Sequence, residues 1–173
     1  MTLLVDRVVV ALGTGMRLGE ILALSWADVD LERKVLRVRA GKTPKSRRSV
    51  DLPGFVVDHL TRHCKAQSER KMARRDVWSG ADVVFDDGVG QPVSVWTVSA
   101  GFRRLIREME LPRIRFHDLR HAHATRLLEA GVHPKVVSER LGHSSIVVTM
   151  DTYSHVIPTM GRAAADAIEG LFG

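Results

Sequence analysis

The chain has 173 residues, 45% of them hydrophobic, a single cysteine and a formal charge of +6, with a pI near 10.1. That length and apolar share suit one sizeable core in a single domain, and the lone Cys64 rules out an intramolecular disulfide and fits a reducing cytoplasm. No apolar run approaches the ~18 residues of a membrane span. No basic start followed by a small-residue cleavage site marks a signal peptide, and no internal repeat or low-complexity tract occurs. The excess of Lys and Arg favours a polyanionic partner, because such cations displace counterions from a nucleic acid backbone. A basic domain that is simply soluble has the same composition.

In chain order, residues 3–12 read as a helix with valines and leucines on more than one face, which implies burial, and Gly13-Thr14-Gly15 breaks it. Arg17 opens a second helix to about residue 24, where Leu18, Ile21 and Leu22 keep a helical period. Glu20, one turn on from Arg17, is placed to orient it. A strand is expected over 35–39, with Val35, Arg37 and Arg39 alternating against Leu36 and Val38, then a turn over 41–46 and a second strand over 48–52. This hairpin presents Lys42, Lys45, Arg47 and Arg48 together, which by itself describes a solvated basic turn. Residues 53–75 read as a long amphipathic helix with Phe55, Val56, Leu60 and Cys64 as buried candidates, and Lys and Arg crowd its end as the helix dipole prefers. A short strand over 82–85 and a turn over 86–90 follow. Ser94 is placed to cap a helix over 95–110 that carries Trp96, Val98, Phe102, Leu105 and Ile106 inward. Its outward Arg103, Arg104 and Arg107 are either a solvated face or phosphate contacts.

Residues 117–153 hold the chemistry. The segment H-D-L-R-H opens a helix over 117–130 on which Leu119, Ala122 and Leu127 share the core side, while His117, Arg120, His121 and Ala124 cluster on the other. His123 reads as a structural histidine. Gly131 is a C-cap, Pro134 starts a short helix that ends at Leu141-Gly142, and Ser144 or Ser145 caps the helix bearing Tyr153. A final helix over 158–172 is rich in alanine. Tyr153 is the only tyrosine in the chain. A free phenol has a pKa near 10, so roughly one in a thousand is ionised at pH 7, and an attacking tyrosine needs cationic or basic neighbours. Arg supplies a planar fork of donors that matches phosphate oxygens and keeps its charge. The set therefore describes a site that holds an anion and attacks it. The plain alternative is a packing tyrosine with an exposed hydroxyl.

These motifs resemble the tyrosine recombinase (phage integrase) family, whose site combines an Arg, a Lys, a His-x-x-Arg, a second His or Trp, and a Tyr. Here Arg17 stands in T-G-M-R-L-G-E, Lys42 in G-K-T-P-K-S-R-R, His117 and Arg120 in H-D-L-R-H, His143 in L-G-H-S-S and Tyr153 in T-M-D-T-Y-S-H. All six positions are filled in the family's order across nearly the whole chain. One departure is the interval of ten residues between His143 and Tyr153, against about nine in many members. The resemblance implies an α+β fold, mainly α-helical, a bundle with a small antiparallel sheet at one edge. It implies a site-specific recombinase in which Arg17 and Arg120 hold the non-bridging phosphate oxygens with a hydrogen bond from His143. Tyr153 attacks phosphorus to give a 3′-phosphotyrosine, Lys42 protonates the leaving 5′ oxygen, and His117 serves in proton transfer with Tyr153. Lys45, Arg47 and Arg48 are expected on flanking phosphates.

The partners implied are double-stranded DNA and further copies of the chain, a tetramer on synapsed DNA, with room for accessory DNA-bending proteins and a place at the nucleoid in the cytoplasm. In the family a C-terminal helix docks on a neighbouring protomer, which makes Ala163, Ala167, Ile168 and Leu171 an interaction face; packing within the subunit is equally compatible. Members carry more helix at the start, preceded by a DNA-clasping domain, so residues 1–173 read as a catalytic portion of a longer protein. No cofactor is expected, because one phosphoester replaces another and bond energy is retained. Two decoys fail. Gly41-Lys42-Thr43 has Leu36 where a P-loop needs its first glycine, and Pro44 where the helix should begin. His117 and His121 mimic a zinc H-E-x-x-H, but Asp118 replaces the Glu and Arg120 would set a positive charge beside the metal. Two other classes remain open: a type IB topoisomerase-like enzyme that nicks and rejoins, and a non-catalytic DNA-binding module.

Overall fold

The computed structural model describes residues 2–39, 47–154 and 158–172. It shows the expected mainly helical α+β architecture, helices around a small antiparallel sheet. Helix α1 (Thr2–Thr14) is central, packing on α3 (Gly54–Ala73) and α5 (Asp118–Glu129) and sinking Val10, Ala11 and Thr14 completely. It runs past the predicted break because the true stop is Gly15, at φ 67°, whose N–H reaches the Ala11 carbonyl at 2.9 Å. A Cβ at Gly15 would lie 2.6 Å from the His123 ring and 2.7 Å from Leu141, so the left-handed turn also lets two helices close over it.

Helix α2 (Leu18–Leu22) is a single turn and a half, shorter than its apolar period implied, and a brief 3-10 helix (Trp26–Asp28) capped by Ser25 leads into the sheet. Strands β1 (Val29–Asp30), β2 (Val35–Val38) and β3 (Arg48–Asp51) pair antiparallel in chain order, with Val35 opposite Asp51 and Val38 opposite Arg48. β1 was not expected, since two residues are too few to show alternation. Leu36, Val38 and Val50 turn into the core, as the alternation requires. The strand expected over 82–85 does not form. Its Val84 and Phe85 are fully buried, but Val84 hydrogen-bonds the Leu24 carbonyl at 2.8 Å and the nearest ladder is one bridge between Asp86 and Pro92.

Helix α3 buries Val56, Leu60, His63 and Gln67 at helical spacing, which leaves Phe55 exposed and Cys64 half-buried against expectation. Ser94 caps α4 (Val95–Glu108) through the Thr97 N–H, and Val98, Phe102 and Ile106 form its inner stripe; Trp96 lies off that stripe and is 75% exposed. Pro134 opens α6 (Pro134–Leu141), Gly142 ends it at φ 69°, and Ser145 caps α7 (Ile146–Thr152). A second, smaller core gathers Ala124, Leu128, Val137 and Leu141 around Tyr153. On α5 the inner face therefore includes Ala124 and Leu128, while Ala122 is exposed, a rotation from the face expected. Helix α8 (Pro158–Phe172) leaves Ile168, Leu171 and Phe172 exposed, so these do not pack within the subunit. Among the described residues no helix is long and apolar enough to cross a membrane.

Candidate active site

Arg17 is the N-cap of α2 in an extended conformation, and its amide and guanidinium bind opposite oxygens of Glu20 at 2.9 and 3.0 Å. The same carboxylate accepts two parallel bonds from Arg48, each 3.1 Å, whose Nε donates to the Arg140 carbonyl at 2.7 Å. Burial would raise the Glu20 pKa, but the hydrogen bonds and charge of Arg48 and the Arg17 amide outweigh it and hold the group below the ordinary carboxylate range. Arg48 was expected on flanking phosphates. Its side chain is 7% exposed and commits both Nη atoms to Glu20, because β3 packs against α6 and turns this strand position inward.

Arg120 lies in the first turn of α5 and is buried; its Nη1 donates to the Gly15 carbonyl at 2.7 Å, while Nη2 has no hydrogen-bond partner among the described residues. Burial first, then repulsion from Arg17, lowers its pKa to about 10. It remains about a thousandfold cationic at pH 7. A desolvated guanidinium with an unused N–H is an open anion-binding position.

His143 follows the Gly142 turn, and its Nδ1 lies 2.8 Å from the Thr149 hydroxyl. Burial and the charges of Arg120, Arg17 and Arg48 push its pKa down to about 4, so it is a neutral hydrogen-bonding group at physiological pH. Tyr153 caps the C-terminus of α7 through a 3.0 Å bond from its N–H to the Thr149 carbonyl, and only 3% of it is exposed. Burial raises the phenol pKa and the Arg120 charge opposes that rise. The hydroxyl meets His121 Nδ1 at 3.0 Å, and the His117 ring stands edge-on to His121 with centroids 4.9 Å apart. Burial, then His121 and Arg120, lower the His117 pKa.

Arg17, Arg120, His143 and Tyr153 are thus gathered within reach of one another's charge, with His117 beside them. Lys42 and Lys45 lie outside the described residues. Arg47 is exposed and joins Arg48, Lys135, His143 and Ser145 around a cleft of about 400 Å³. A larger cavity of about 690 Å³ at the end of α4 is ringed by Arg103, Arg104, Arg107 and Arg113, of which Arg104 is paired to Glu108. His123 is structural, as expected: Nδ1 meets the Leu12 carbonyl at 2.7 Å and Arg140 donates to Nε2 at 3.2 Å. Sequence reasoning placed His121 on the right face without giving it a partner, and it passed over Thr149 and Arg140. The legible clue to Thr149 was its position four residues before Tyr153, one helical turn away. Among the described residues no group of three or more His, Cys, Asp or Glu is arranged to hold a metal ion.

The model of the phage integrase family matches residues 4–160. A XerC-like tyrosine recombinase of Caldanaerobacter subterraneus subsp. tengcongensis is 34% identical over 188 aligned residues, spanning 94% of this chain and 48% of the relative. The tyrosine recombinase XerA of Thermococcus kodakarensis is 30% identical, spanning 97% of this chain and 58% of its own. Among solved structures, the Tn1549 transposon integrase in complex with transposon right end DNA superposes with a TM-score of 0.79 at 28% identity, over 95% of this chain and 58% of that one. The chain spans about half the length of the curated relatives it matches.

Proposed function

Because this chain belongs to the phage integrase (tyrosine recombinase) family, we propose that residues 1–173 form the catalytic domain of a site-specific DNA recombinase that cleaves and rejoins strands through a covalent 3′-phosphotyrosine. The observation that carries this reading is the imbalance around the sole tyrosine: Arg17 and Arg48 share one carboxylate, Glu20, while Arg120 donates to the Gly15 carbonyl and keeps an Nη2 with no hydrogen-bond partner among the described residues. A phosphodiester supplies the missing negative charge. Arg17 and Arg120 take its non-bridging oxygens and stabilise the charge that builds in the pentacoordinate transition state, as preorganised donors do. His143, neutral and held by Thr149, adds a hydrogen bond there. The Tyr153 oxygen bonds to phosphorus as the bond to the 5′ oxygen breaks, and Lys42 protonates that leaving oxygen. A 5′ hydroxyl from a partner duplex then reverses the step. Glu20 acts through Arg17, fixing its amide and guanidinium together.

Double-stranded DNA is the partner in this reading, with Arg47 beside the cleft that His143 enters and Lys45 a further phosphate contact. The exposed Ile168, Leu171 and Phe172 of α8 dock on a neighbouring copy in a synaptic tetramer, at the nucleoid and with room for DNA-bending helpers. The test is a nicked suicide duplex. The parent chain forms a covalent protein–DNA complex, and Tyr153→Phe forms none while binding the duplex as the parent does. A Tyr153→Phe chain that still becomes covalently attached sinks the proposal, and relaxation of supercoiled plasmid by the monomer replaces it with a topoisomerase.

A further inference from the structure

We propose that His121 is the general base that removes the Tyr153 proton, a role that rests on the transesterification proposed above. The Tyr153 hydroxyl is buried, and His121 Nδ1, at 3.0 Å, is its hydrogen-bond partner among the described residues. Burial keeps the proton on the phenol, so the hydroxyl enters the reaction as a donor, and a buried donor needs an acceptor. The neighbouring Arg120 has no lone pair to offer. His143 has its Nδ1 turned to Thr149, and His117 meets the His121 ring rather than the hydroxyl. His121 therefore presents a bare Nδ1 and carries its own proton on Nε2.

As the Tyr153 oxygen bonds to phosphorus, its O–H bond breaks and the proton moves to Nδ1, while the departing 5′ oxygen takes a proton from the general acid. On rejoining, the imidazolium returns its proton to the phenolate. The surroundings tolerate that transient cation. His117 faces it from the same helix and is disposed to stay neutral, and the ionised Asp118 carboxylate, one turn back, couples to it electrostatically. The charged or titratable groups that bear on His121 are His117 and Asp118 on α5, His143 from the loop before α7, and Tyr153 after it. One helix thereby delivers both Arg120, for the phosphate, and its neighbour His121, for the nucleophile.

The experiment uses the full chain and a duplex with one bridging 5′-phosphorothiolate set in randomised flanks. A thiolate leaves without a proton, so the base step is isolated from the acid step. His121→Asn keeps an amide near the Nδ1 position, able to hydrogen-bond Tyr153 but unable to hold its proton. Covalent complex is expected to form on the order of 10²-fold more slowly in His121→Asn than in the parent, with DNA binding unchanged. The pH profile of the covalent step is expected to differ between His121→Asn and the parent. A parental rate and pH profile in His121→Asn overturns the base role and leaves the transesterification standing. Covalent attachment by Tyr153→Phe, or none by the parent, overturns the transesterification and this role with it. Nitrogen-15 NMR of the free chain is the second measurement and stands even if His121→Asn fails to fold. Nε2–H with an unprotonated Nδ1 supports the proposal, and Nδ1–H overturns it.

Discussion

Two buried clusters of charge in this molecule are built on opposite principles. Beneath α1 and α3, two guanidiniums, Arg7 and Arg70, meet two carboxylates, Asp6 and Asp86. His63 is fixed there between Asp6 and the Val84 carbonyl at 2.8 and 2.7 Å, and Gln67 donates to Asp86 at 2.5 Å. Around Gly15 and α5, Arg17 and Arg48 bond the carboxylate of Glu20, and Arg120, bonded to the Gly15 carbonyl, adds a third guanidinium that Glu20 reaches only through its charge. Burial disfavours a lone charge, and pairing offsets that cost. The first cluster therefore balances its charges as it stands, with Arg7 Nε and Arg70 Nε left without a hydrogen-bond partner among the described residues, and it ties α1 to α3 and to residues 84–86. The second carries an unmet demand for negative charge beside the only tyrosine, which is what distinguishes a binding site from a structural network made of the same residue types.

The sharpest way to break the comparison is Arg120→Met. Covalent complex formation should slow by about 10²- to 10³-fold, the usual cost of one preorganised donor, while folding stability, followed by thermal melting, shifts by less than about 1 kcal/mol. A large loss of stability would make Arg120 a structural cation like Arg7. The mirror experiment is Asp6→Ala, which strands His63 and weakens the field on Arg7. It should cost about 3 kcal/mol in urea unfolding and leave the cleavage rate of the folded protein unchanged.

A pH series sharpens the contrast further. His143 binds its proton near pH 6.5 when unfolded but only near 4 in the fold, and the His117 pKa is shifted the same way. The unfolded chain then holds more protons, so stability is full above about 6.5 and declines as the pH falls toward 4. Glu20 and Asp86 have lowered pKa values, so their contribution is present above the ordinary carboxylate range and is lost as the pH falls through their folded values. In His143→Asn the upper part of the decline in urea midpoint should flatten, with the acid end unchanged. The smallest expected effect belongs to Gly142→Ala. At φ 69° a side chain costs about 1–2 kcal/mol, and its Cβ would sit 2.8 Å from Arg48 Nη1. Thermal melting should register that cost, together with a mild loss of cleavage rate as Arg48 is pushed from Glu20.

Much of this architecture was legible because its signals are local. Ser94, Pro134, Gly142 and Ser145 mark helix ends through bonds to residues within a turn. Leu36 and Val38 alternate because a strand has two faces. What misled were side chains whose surroundings come from elsewhere. Trp96 and Phe55 are large and apolar yet exposed, since their helices bury the stripes set by Val98 and Val56 instead. Val84 and Phe85 have strand composition, but their neighbours are α3 and the Leu24 carbonyl rather than a ladder.

By itself, the order of residues determined which groups are available: four cationic or imidazole motifs spaced along the chain, one phenol, and helix ends that carry all of them except Lys42, which falls in the turn expected between two strands. Only the tertiary structure decided how those groups are used. Arg48 was turned from a solvated strand residue into the partner of Glu20, 28 positions away, and His121 was brought to Tyr153 across 32 positions. The physical reason is that a hydrogen bond is settled within about 3 Å, a scale at which the packing of α6 on β3 and the closing of α5 over Gly15 choose the partner.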